Sequence, residues 1–209
     1  MKLTKRFDTN LKLSEGERSV VARISTASVD REGDVVLPSG VELDEFKQNP
    51  VVLFGHDSAM LPIGKAEGIT TTRNAVIAKV KFAERPKAHP TTAEWVPDTI
   101  HSLFQQGVLR AFSVGFSVPN GGIRDADEKD IGRFGDDVRR VITRWKLLEF
   151  SVVPIPANQD ALATAVSKGI LSTDDWTFGA LEIGLDSDKY APIALSERQP
   201  MHVIISGRN

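Results

Sequence analysis

Ala111-Phe112-Ser113-Val114-Gly115-Phe116-Ser117 lies at the centre of residues 108–118, a run that reads as a strand with a hydroxyl wedged between Phe112 and Val114. Just before it, residues 92–106 place Val96, Ile100, Leu103 and Phe104 at helical spacing. Pro97 suits a first turn and Gly107 stands where a C-terminal cap belongs, so a helix is expected there. Just after it, residues 119–137 are rich in Gly and charge and show no apolar periodicity, which predicts a mobile loop. Strand character returns over residues 138–153, around Trp145, Leu147, Leu148, Phe150 and Val152. Pro154-Ile155-Pro156-Ala157-Asn158 ends it, and Asn158 is expected to cap a helix through Ala161, Leu162, Ala163 and Val166.

Further upstream, residues 19–29 are β-rich and partly alternating. Asp30-Arg31-Glu32-Gly33-Asp34 forms a polar turn before Val35-Val36-Leu37. Leu43-Asp44-Glu45-Phe46-Lys47-Gln48 predicts one helical turn stopped at Asn49-Pro50, since the residue before a proline leaves the helical region. Val51-Val52-Leu53-Phe54 reads as a buried strand that delivers Gly55-His56-Asp57. Residues 63–69 and 75–82 predict a hairpin around Thr72-Arg73-Asn74. Many strands with few helices give an α+β, mainly β class: a β-barrel or sandwich flanked by helices. Residues 1–169 are expected to form the domain. Residues 170–209 change character and read as an appendage, a propeptide or linker.

Composition narrows the function. The 209 residues are 41% hydrophobic, enough for a real core. Lys plus Arg number 26 against 28 Asp plus Glu, a formal charge of -2, which argues against nucleic acid as a main partner. The absence of cysteine removes disulfides, thiolate zinc sites and a cysteine nucleophile together. The N-terminus has no apolar stretch behind its charges, so no secretory signal is expected, and no run of about 18 apolar residues predicts a membrane span.

Of the four histidines, His89 falls in a polar loop, His101 on the helix, with a surface or partly packed position expected, and His202 in the tail. His56 alone follows an apolar strand, at an edge where a base can be held rigidly and still reach a cleft. No histidine pair has metal-ligand spacing, and no metal or cofactor is expected. Taken alone, His56 reads first as a histidine hydrogen-bonded in a turn. Ser113 alone reads as a strand serine bonded to a neighbouring carbonyl, although its hydroxyl needs a partner and Gly115 allows another backbone, such as a substrate, to come close. There is no Gly-x-Ser-x-Gly elbow and no Ser-x-x-Lys around Ser113. Glu149 is a carboxylate inside an apolar strand. It either faces outward or orients His56 as the third member of a triad. Asp57 is its rival, but adjacent side chains on extended backbone diverge.

Together, five stretches resemble the prohead proteases of tailed phages, which look related in fold to the herpesvirus assemblins. They are Asp30-Arg31-x-Gly33-Asp34-Val35-Val36, Asn49-Pro50-Val51-Val52-Leu53-Phe54-Gly55-His56-Asp57, Pro62-Ile63-Gly64-Lys65, residues 107–116 and residues 148–158. They run in family order over about residues 18–168. The resemblance implies a closed β-barrel surrounded by a few helices, with His56 and Ser113 as the catalytic pair. Assemblins use a second histidine as third member, no histidine here takes that place, and Glu149 is assigned to it. The implied function is that of a serine endopeptidase. It would cleave capsid and scaffold proteins, then itself, in the host bacterial cytoplasm inside the assembling prohead, with a helix-mediated homodimer by analogy. Two other readings stand beside this one: a non-enzymatic scaffold or shell component that keeps the barrel, and a small-molecule-binding barrel without a link to capsids.

Overall fold

A computed structural model describes residues 17–166 and 169–170. Its elements in chain order are β1 (Ser19–Thr26), β2 (Asp34–Val36), β3 (Val41–Glu42), β4 (Val51–Phe54), β5 (Gly64–Thr71), β6 (Ala75–Phe82), α1 (Val96–Gln105), β7 (Ala111–Ser117), β8 (Ile123–Asp125), α2 (Glu128–Phe134), β9 (Arg140–Ile142), β10 (Trp145–Val153), β11 (Ala163–Val166) and β12 (Gly169–Ile170). Short 3-10 turns cover Pro38–Gly40 and Phe46–Gln48. The large sheet runs β12-β11-β1-β6-β5-β4-β10-β3, with β7 added on β10, and a small sheet runs β2-β9-β8.

The mainly β class with a few helices is as expected, and the large sheet curls into a half-barrel. Its ladder does not run on from β7 to β11. A single bridge between Ala111 and Leu162 spans that gap, with Phe112 N–H donating to Ala161 O (2.8 Å) and Ala163 N–H to Arg110 O (2.6 Å). The concave face is filled by apolar side chains. Phe46, Phe150, Phe112, Phe104 and Phe82 form a chain of ring contacts 5.4–6.0 Å apart, tying the turn before β4 to β10, β7, α1 and β6. Each of these rings, fully buried, is worth roughly 1.5–3 kcal/mol. Trp145 is buried beside them and satisfies its indole N–H on Leu37 O at 2.8 Å.

Helix α1 matches its forecast. Pro97 occupies the first turn, Ile100 and Phe104 face the core, and Gly107 at φ 71° makes the left-handed stop. Gly107 N–H donates to Phe104 O and Val108 N–H to Leu103 O, which together satisfy two end carbonyls. The hairpin of β5 and β6 and the turn at Gly33 also form as read.

Two expectations fail. Residues 119–137 are not a loop but carry β8 and α2. A capping box builds the helix start, with the Asp127 carboxylate accepting from Lys129 and Asp130 N–H while the Asp130 carboxylate accepts from Asp127 N–H. Arg124 pairs with Asp130 and, with the Asp127 backbone bond, holds that carboxyl well down, at about 2. These elements are stabilised by charge and caps, so no apolar period announces them. The helix expected after Asn158 is also absent, because residues 163–166 extend as β11 against β1. The Asn158 side chain instead grips Thr26, donating to its carbonyl at 3.0 Å. Apart from Ile170, the appendage assigned to residues 170–209 lies outside the described residues.

Candidate active site

The site is built on the β4-β10-β7 stretch of the large sheet. On β7, Phe112 points into the core, so Ser113 and Gly115 face the other way. On β10, Trp145 and Leu147 point in, and so do Phe150 and Val152, so the parity switches between them. The switch is a bulge: Leu147 pairs with Phe116 and Glu149 with Gly115, leaving Leu148 unpaired and exposed. Without the extra residue, Glu149 would share the core face with Leu147. With it, Glu149 and Ser151 join Ser113 and Gly115 on the outer face. Ser151 and Ser113 are direct cross-strand partners.

Strand β4 runs parallel to β10 and ends beside Val152. Gly55 (φ 65°) and His56 (φ 60°) then turn back, with Asp57 N–H reaching Phe54 O. Two consecutive left-handed residues define the I′ type of turn. Glycine takes that conformation freely. Histidine does not, and His56 is the only non-glycine with positive φ among the described residues. The strain is of the order of 1 kcal/mol and is opposed by a bond from His56 N–H to Ser151 Oγ at 3.0 Å.

The turn lays the imidazole beside Glu149, with His56 Nδ1 2.7 Å from Glu149 Oε1. A carboxylate only accepts, so Nδ1 carries the hydrogen and Nε2 of the neutral ring is left as the acceptor. Glu149 Oε2 accepts from Ser151 Oγ at 2.8 Å. Ser113 is 9% exposed and lies directly across the ladder from Ser151. His56 and Ser113 both adjoin Ser151, one through its hydroxyl and one across the ladder.

Ser113 and Glu149 thus share one face of the β7-β10 ladder, and the His56 ring reaches that face through its bond to Glu149. Asp57, the rival to Glu149, spends its carboxylate on Ala59 N–H at 2.9 Å. His89 bonds within its own loop and stands edge-on to Trp95. His101 is buried against Phe82, deeper than its helix position suggested. His202 lies outside the described residues. No group of three metal-ligating side chains occurs among the described residues.

Sequence reading missed one residue and gave another a different use. Ser151 bonds both His56 and Glu149, and its only signal was a second polar residue two places after Glu149. Gly115 was read as room for a substrate. An added Cβ there would lie 2.0 Å from Glu149 Oε1, so its space is already taken by the carboxylate. The other shared stretches have structural work. Arg31 N–H and Nε hold the carbonyls of Ala157 and Pro156 at 3.1 and 3.0 Å, and Asp34 takes a two-pronged bond from Arg140, both arms at 2.7 Å.

A hydroxyl, a histidine and a carboxylate on one sheet face are the equipment of a serine hydrolase. Residues 6–175 match the caudovirus prohead serine protease family, and the chain belongs to that family. It is similar to the prohead protease of Escherichia phage T5, 31% identical over 151 residues, covering 70% of this chain and 62% of that protein. It is also similar to the capsid polyprotein of Pseudomonas phage PAJU2, 29% identical over 168 residues, covering 79% of this chain and 23% of the polyprotein. The match therefore spans about three fifths of the first relative and about a quarter of the second.

Proposed function

We propose that this chain is a serine endopeptidase that cleaves capsid and scaffold proteins, and then itself, inside the assembling prohead in the host cell. The observation that carries the reading is the shared outer face: Ser113 in register with Ser151, whose neighbour Glu149 fixes the His56 imidazole. Family membership and the names of the two phage relatives support the substrate class.

In the proposed chemistry, Ser113 is the nucleophile, His56 the general base and Glu149 the residue that orients the imidazole. His56 Nε2 takes the Ser113 proton as Oγ bonds to the peptide carbonyl carbon. Backbone N–H groups hold the resulting oxyanion. The intermediate collapses, the C–N bond breaks, and the leaving amine takes the proton from His56. Water, deprotonated by the same ring, then releases the acyl group and restores Ser113. Glu149 stabilises the imidazolium formed in each half. The bridge between Ala111 and Leu162 supports a further reading of the half-barrel as a closed barrel. A homodimer is carried forward by analogy alone.

Co-expression with the phage capsid protein tests the reading. Ser113→Ala is expected to lower processing by a factor of about 10⁴ or more, judged by loss of cleaved capsid protein on gels. It should also abolish labelling by a fluorophosphonate. Normal processing by Ser113→Ala would refute the assignment, and a wild type that neither cleaves nor labels would favour a shell component.

A further inference from the structure

We propose that Ser151 is a positioning residue that holds both His56 and Glu149 in catalytic register, with Gly115 providing the space this needs. The proposal rests on the protease reading above and adds to it a fourth and a fifth position.

Ser151 is 0% exposed, and its hydroxyl makes two bonds of fixed direction. The carboxylate of Glu149 has no hydrogen to give, so Ser151 Oγ–H donates to Oε2 at 2.8 Å. The same oxygen accepts from His56 N–H at 3.0 Å. The only hydroxyl hydrogen is thus used on the carboxylate, and an oxygen lone pair on the histidine backbone. Glu149 is held at both oxygens, Oε1 by the imidazole and Oε2 by Ser151. His56 is held at two points, its amide and its ring. The amide bond opposes the strain of a left-handed histidine. Without it the turn can relax and swing the ring away from Glu149. Gly115 closes the third side, since any Cβ would collide with Oε1 at 2.0 Å. Ser151 itself is covered and sits behind His56, so it acts through its neighbours.

Two readouts test this on the full chain. The first is the rate of labelling by a fluorophosphonate, in which Ser113 Oγ bonds to phosphorus, the P–F bond breaks, fluoride leaves and the proton passes to His56. The second is the His56 Nδ1–H resonance in proton NMR, which reports the bond to Glu149 and needs no activity. Ser151→Ala is expected to slow labelling by about 10- to 100-fold, the scale of a mispositioned catalytic group. It should also shift or broaden the Nδ1–H resonance. Gly115→Ala should do the same by displacing Glu149. Ser151→Cys keeps the volume and a weak donor, so it should fall between Ala and wild type, and it serves if Ser151→Ala does not fold. A resonance unmoved in folded Ser151→Ala or Ser151→Cys overturns the proposal, whatever the rate does. If Ser113→Ala still labels, the protease reading falls instead, and the resonance alone decides the role of Ser151.

Discussion

The two faces of the β7-β10 ladder are made by alternate residues of the same two strands yet obey different rules. On the inner face, Phe112, Phe150 and Val152 pack into a continuous aromatic and aliphatic core, where what matters is volume. On the outer face, Ser113, Gly115, Glu149 and Ser151 are set by bond direction, where what matters is the position of single atoms. Alternation along a strand couples the two: each residue that fixes the core also fixes the aim of its neighbour. The lesson is that the core serves as the rigid backing of the candidate site.

The faces should fail differently. Among substitutions that keep Ser113, the largest effect is expected for Glu149→Gln. The carboxylate accepts from both His56 Nδ1–H and Ser151 Oγ–H, but an amide offers one accepting oxygen, so one donor must face an NH₂ group. Cleavage of the capsid protein should fall by about 10³- to 10⁴-fold with melting little altered, as when a triad carboxylate is neutralised. An unchanged rate would leave Ser113 and His56 as a dyad. Next, Phe150→Ala should cost about 3–5 kcal/mol of stability in denaturant titration, with the rate per folded molecule reduced far less than by Glu149→Gln. Equal losses would show that the faces are not separable.

The smallest effect lies away from the ladder, in α2. The hydrogen bond from Arg124 and the backbone bond of Asp127 hold the Asp130 carboxyl at about 2. Its folded value lies below the unfolded one of about 3.9, so its contribution is fully present above the unfolded value. It is lost as pH falls through about 2. The melting temperature of Asp130→Asn should lie below wild type at neutral pH and converge with it in strong acid. A gap that persists at the lowest pH would count against the ion pair.

How much could be read in advance follows from the same division. Strands β1, β4, β5, β6 and β7 and helix α1 were legible because each carries an apolar period or a terminal signal of its own. The capping box of α2 was present in the sequence, but seven residues without an apolar stripe gave it no weight. Strand β11 was mistaken for a helix because alternating small residues fit either period, and the choice was made by pairing with β1, more than a hundred residues away in sequence. At the site, His56 and Ser113 were recognisable from the stretches around them. The face taken by Glu149 was not, since it depends on the bulge at Leu148, and pairing register is a property of two strands. Ser151 escaped notice for the same reason, as its partners come from a turn that only the folded chain brings near.

The short join at residues 161–163 places a mechanical fault line next to the proposed nucleophile. Phe112 N–H and Arg110 C=O, on the chain just ahead of Ser113, are satisfied there by Ala161 and Ala163. A pull on the chain after Val166 is borne first by the ladder of β11 on β1, and once that yields only a seam of a few hydrogen bonds stands between it and the residue before Ser113. The end of the fold and the start of its chemistry are stitched by the same thread.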